Sequence, residues 1–191
     1  VDELISEGLE HHREGRLAAA QQAYVQAVKA DPDNTEALNL LGILAHQSGK
    51  DNHAEKLLRR AIAGAPQIAK YHGNLGTVLD ALGRADEALQ SYSTAQGLDP
   101  NDSGFLYNAA TVLVALGRPE KAVPLFQKAI GLRSDHVEAR VNLASTLGML
   151  ARDEQPDRRH RRRAPPRTSQ QLRRCASAAA EKGAGGAWTS R

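Results

Sequence analysis

Residues 35–68 read TEALNLLGILAHQSGKDNHAEKLLRRAIAGAPQI, and the fold is decided by this stretch. Ala54, Leu57, Leu58, Ala61 and Ile62 fall at i, i+3, i+4, i+7 and i+8, a single apolar stripe along one helix. Leu38, Leu41, Ile43, Leu44 and Ala45 give the preceding segment a broader apolar surface, as a helix packed between neighbours needs. Between the two, Ser48-Gly49-Lys50-Asp51 reads as a turn, with Gly49 suited to a left-handed helix end. The pattern then returns. Leu41-Gly42 reappears 34 residues on as Leu75-Gly76 and again as Ala109-Ala110, so the chain is a stack of one small unit.

The units are Val1–Asn34, Thr35–Ile68, Ala69–Asp102, Ser103–His136 and a partial fifth, 137–150. The small residue after the first apolar cluster is Gly8, Gly42, Gly76, Ala110 and Ala144. Ala20, Ala54, Ala88 and Ala122 follow, then the large residues Tyr24, Leu58, Tyr92 and Phe126, then Ala27, Ala61, Ala95 and Ala129. Pro32, Pro66 and Pro100 close the first three units, and Ser134 stands there in the fourth. Gly83 and Gly117 repeat the role of Gly49, and Asn34 is placed to cap the helix after Asp31-Pro32-Asp33. Pro119 suits a first helical turn, whereas Pro124 is expected to bend or delay its helix. The Gly and Ala positions let paired helices approach closely, so a bulky residue there costs ~1–3 kcal/mol. The expectation is an all-α solenoid.

These residues resemble the tetratricopeptide repeat (TPR) family, with its 34-residue helix–turn–helix signature, over roughly residues 1–150. The early aromatic of that signature is Leu4, Leu38, His72 and Leu106 here, and the next is His11, Ala45, Leu79 and Leu113. The departures weaken single contacts and leave the small-residue scaffold intact. The resemblance implies a right-handed superhelix of antiparallel helix pairs, four full repeats plus a partial fifth, whose first helices line a concave groove.

Charge divides the chain. Residues 1–150 hold 14 Lys and Arg against 18 Asp and Glu, a formal −4, while 151–191 hold 11 against 4, or +7. An acidic scaffold therefore carries a basic tail, and the overall basic pI hides this. Cys175 is the sole cysteine, which excludes an intrachain disulfide and fits a reducing, cytoplasmic setting. No run approaches the ~20 apolar residues of a membrane span. The chain opens at Val1 in mid-pattern, so an N-terminal targeting segment can be missing.

The resemblance places a ligand along the first helices. Asn74, Asn108 and Asn142 stand two residues before the small residue of units three to five, where Ser6 and Leu40 stand earlier. Each carboxamide offers a peptide bond both a donor and an acceptor. The row resembles the asparagine ladder of O-GlcNAc transferase TPR arms, where such repeats precede a transferase domain. The remaining groove candidates are Asn39, Ile43, Lys70, Thr77, Gly104 and Thr111. Lys70 is the lone cation among them, which disfavours a carboxylate clamp for chaperone tails. The alternative for the row is plain tolerance of Asn at that helical site.

Chemistry is not expected. His11 and His12 point to different helix faces, and His46, His53, His72 and His136 lack the i, i+4 partners of a metal site. No nucleophile–base arrangement and no phosphate loop is visible, so no cofactor, metal or catalytic residue is assigned. Two functions stay open: a module binding a protein or extended peptide in its groove, or the substrate-recruiting arm of a glycosyltransferase or sulfotransferase-type enzyme.

From Gln155 the repeat gives way to an Arg- and Pro-rich run expected to be disordered, with a weak helix over 169–182. That tail reads in three ways: a basic arm for nucleic acid, a linker that caps the last helix, or a shifted reading frame. Nucleic acid binding would rest on it alone. Without a cover the fifth unit exposes Leu143 and Leu147, a route to self-association.

Overall fold

The computed structural model describes residues 1–153. The helices are α1 (Asp2–Arg13), α2 (Leu17–Ala30), α3 (Thr35–Gln47), α4 (Asp51–Gly64), α5 (Ala69–Ala81), α6 (Ala85–Leu98), α7 (Ser103–Ala115), α8 (Pro119–Leu132) and α9 (Val137–Asp153). From α3 to α9 the odd helices start 34 residues apart, and from α2 to α8 so do the even ones. Among the described residues there is no strand. The expectations for the segment beyond, including the helix at 169–182 and the nucleic acid arm, lie outside the described residues.

Each odd helix turns back on the even helix after it. Gly15, Gly49, Gly83 and Gly117 take φ of +76°, +71°, +74° and +67°. At each, the next residue's N–H reaches back to a carbonyl five residues earlier, as Lys50 does to Ala45 at 2.8 Å and Arg84 to Leu79 at 2.9 Å. A side chain with a Cβ would be strained there. Entry into the odd helices is capped where the sequence permits. Asn34 Oδ1 accepts from the Ala37 N–H at 3.0 Å, and Asp102 Oδ1 from Gly104 at 2.7 Å. Pro119 begins α8, as expected. Pro124 does not delay it: α8 has 14 residues, like α2, α4 and α6. Pro124 and Glu120 are both exposed, so water can take the carbonyl that the missing N–H leaves free.

The core is a file of large residues seated on small ones. Tyr24, Leu58, Tyr92 and Phe126 are buried against the equivalent positions Gly8, Gly42, Gly76 and Ala110. A Cβ added to Gly76 would lie 2.7 Å from Tyr92 Cε1, and one on Gly42 would lie 2.9 Å from Leu58 Cγ. Successive odd helices also touch, α3 with α5 and α5 with α7. In α9 the pattern runs out. Leu143 is not exposed as expected but packs against the α7–α8 cluster around Phe126. Val137 and Val141 are 63% and 61% exposed, and Leu147 and Met149 also face outward.

An ion network ties α4 to α6. Arg84 donates to both oxygens of Glu55 at 2.8 Å and to Glu87 at 2.6 Å, while Arg59 bonds Glu55 at 2.9 Å. Burial pushes the Glu55 carboxyl up, but the bonds from Arg59 and Arg84 outweigh it and hold the group below its ordinary 4.5. Glu87 is lowered by the Arg84 bond. A depressed folded-state value means that this contribution is present above pH 4.5 and lost as pH falls through the lowered value. Glu55→Gln should therefore cost stability at about pH 7, and the gap to the parent should be smaller at about pH 3. Thermal melts at both pH values check this; an equal gap at both would reject the network.

Candidate functional site

The groove residues picked from the sequence all lie in odd helices, but in an arrangement that the 34-residue register hides. Asn74 Nδ2 donates to Asn39 Oδ1 at 2.8 Å, and Asn142 Nδ2 to the Tyr107 hydroxyl at 3.2 Å. His12 meets Gln47 at 2.8 Å. All three pairs are separated by 35 residues. Adjacent odd helices are thus offset by one residue from the repeat, and Asn74 meets the residue before its equivalent, Leu40. Carried to Asn108, the same offset would set it opposite Gly73, which has no side chain to offer. Gly73 is fixed by packing, since a Cβ there would run into the ring of Phe105. Asn108 is half-buried and makes no side-chain hydrogen bond among the described residues.

The asparagines are therefore not three equal rungs. Asn74 and Asn142 are held from the preceding helix, and Asn108 has no such partner among the described residues. Thr77 and Thr111 turn back on their own helices, Thr77 Oγ1 to the Gly73 carbonyl at 3.3 Å and Thr111 Oγ1 to that of Tyr107 at 3.0 Å. Thr77 also meets the buried Tyr92 hydroxyl at 3.1 Å, which reduces what it can offer a ligand. Burial pushes the Tyr92 phenol up, against the pull of that bond.

Three hollows follow this face. The first, about 480 Å³, lies across α3, α5 and α7, with Asn39 and Asn74 in its wall and Glu36, Lys70 and Asp102 around it. Ile43, Asn74 and Thr77 line a second, of about 130 Å³. Thr111, Asn142 and Thr146 line a third, of about 240 Å³. Tyr107 was missed from the sequence; its signal was its place 35 residues before Asn142. Also missed was a notch of about 390 Å³ on the opposite side, between α4 and α6 over Leu75 and Leu79. Ser91 lines it, where the neighbouring units carry Leu57 and Leu125.

The histidines pair singly. His46 Nδ1 lies 2.6 Å from Asp51 Oδ1, and the buried His136 lies 3.1 Å from Glu138 and stacks on Tyr107. Among the described residues no three His, Cys, Asp or Glu gather as a metal needs, and no helix is long and apolar enough to cross a membrane.

Comparison with known proteins bears on the fold. A family model described as Tetratricopeptide repeat matches residues 11–75, and a second of the same description matches 52–103 and 107–165. No curated protein matches the chain. Among solved structures, MamA superposes with a TM-score of 0.68 at 24% identity, covering 76% of this chain and 86% of that one. YrrB, a TPR protein with an unusual peptide-binding site, gives 0.64 at 24% identity over 71% of this chain and 70% of that one. At that identity both likenesses speak for the fold alone. A mutant O-GlcNAc transferase of Thermobaculum terrenum gives 0.65 at 34% identity, covering 68% of this chain but 25% of the enzyme. With helix pairs in 34-residue register and family models matching more than half of its length, the chain belongs to the tetratricopeptide repeat family.

Proposed function

We propose that the chain is a non-catalytic interaction module that binds an extended peptide, or an extended segment of a partner protein, along the odd-helix face. The observation that carries this reading is the set of carboxamides on that face. Asn74 and Asn142 are oriented by a neighbour and keep an oxygen to offer, and Asn108 keeps its whole amide. A peptide group needs one donor and one acceptor, and such side chains supply both without reading the ligand's side chains.

Replacing Asn74, Asn108 and Asn142 together by Ala tests it. Each lost hydrogen bond is worth ~0.5–1.5 kcal/mol, so the three together should lower affinity for a library-selected peptide by about 10- to 1000-fold with helicity unchanged. Fluorescence anisotropy and circular dichroism read the two quantities. Unaltered affinity in the triple variant removes the groove assignment.

A second reading is favoured by the 34% identity to the transferase. In it the same face recruits substrate for a catalytic domain, and the chain spans about a quarter of such an enzyme. A transferase domain encoded in the continuing frame of the gene would favour it.

A further inference from the structure

The hollow across α3, α5 and α7 holds more information than a backbone grip requires. Asn39 is 7% exposed, its oxygen is taken by Asn74, and its amide nitrogen has no partner among the described residues. The Asn74 oxygen is likewise without a partner among them. The couple therefore turns one donor and one acceptor towards the hollow. Exchanging nitrogen and oxygen on both side chains gives the same result, so the match to a peptide group does not depend on that assignment.

Charge surrounds this couple. Glu36 stands in the first turn of α3, Asp102 at the cap of α7, and Lys70 on α5. Asp102 spends an oxygen on Gly104, while Glu36 and Lys70 make no ion pair among the described residues. Two carboxylates thus stand against one ammonium, inside a repeat region of formal charge −4. Leu40 and Ile43, both half-buried, add apolar surface beside the couple. An aliphatic stem with a cationic head suits that combination, since the stem covers carbon and the head stays with the carboxylates in water.

We propose that this hollow selects an extended peptide segment carrying a lysine or arginine next to the peptide group held by Asn39 and Asn74. The proposal rests on the peptide-binding reading above and adds the class of ligand. The basic side chain lies over Leu40 and Ile43 and reaches Glu36 and Asp102.

A library of short capped peptides, captured by the full-length chain, tests this. Lysine and arginine should be enriched over aspartate and glutamate at one position by roughly five- to tenfold, the range of exposed ion pairs acting in concert. Glu36→Gln with Asp102→Asn, which keeps a capping side chain, should erase the enrichment while peptides still bind. Asn74→Ala should weaken capture of all peptides and leave the preference intact. Capture with no charge preference, or with an acidic one, overturns the basic-segment proposal and leaves the groove reading standing. Failure to capture any peptide overturns both.

Discussion

Phe126→Ala should lower stability by about 3–5 kcal/mol, the cost of a large aromatic removed from a closed core. Phe126 is fully buried, and it joins Leu106, Ala110, Leu113 and Ala122 from α7 and α8 with Ala139 of α9. Tyr107 stacks beside it with ring centroids 6.0 Å apart, and that ring also carries the hydroxyl held by Asn142. A cavity here therefore loosens both the last helix pair and the contact between Tyr107 and Asn142 on the odd-helix face. In a stack each unit answers mainly to its neighbours, so the loss should be local. Amide exchange should rise across α7, α8 and α9 and stay near parental in α1 to α4. Uniform acceleration along the chain, or a loss below about 1 kcal/mol, would contradict the packing described.

Gly76→Ala should have the next largest effect, and its sign is set by competition. Alanine in place of glycine inside a helix gains about 1 kcal/mol. Against that, the new methyl would lie 2.7 Å from Tyr92 Cε1 and 2.9 Å from Cδ1. Tyr92 cannot simply withdraw, because its hydroxyl is held by Thr77. Overpacking of this kind costs ~1–3 kcal/mol, so a net loss of up to about 2 kcal/mol is expected. In a Tyr92→Phe background the ring is untethered and the penalty should shrink, a non-additivity that a double-mutant cycle measures. Gly148→Ala in α9, where nothing lies within 4 Å, is the control and should be neutral or stabilising. A Gly76→Ala variant as stable as that control would dismiss the close approach.

Why was the scaffold legible while the face was only half so? The repeat is written in residues that bury each other inside one unit. Gly76 and Tyr92 sit 16 positions apart on adjoining helices, and Gly83 marks the turn between them. Their types follow from sterics alone, so reading them gave every helix. The lateral contacts join different units and depend on how one helix settles against the next. That offset of one residue, 35 instead of 34, cannot be read from periodicity, which aligns equivalents and not neighbours. It concealed the partnership of Asn39 with Asn74 and left Tyr107 unnoticed. Pro124 was misjudged for another reason: its cost depends on whether the orphaned carbonyl can find water, and in α8 both groups are exposed.

The one-residue stagger also bears on how such a chain can be recombined. Removing residues 69–102 would carry Asn108 to the place of Asn74, opposite Asn39, and an amide couple would form again. Removing residues 35–68 instead would bring Asn74 against Ile5, and the couple would vanish although every glycine seat in the interior still found its aromatic or leucine. Units of this chain are thus interchangeable as building blocks but not in their lateral contacts: shuffling spares the scaffold and rewires the face.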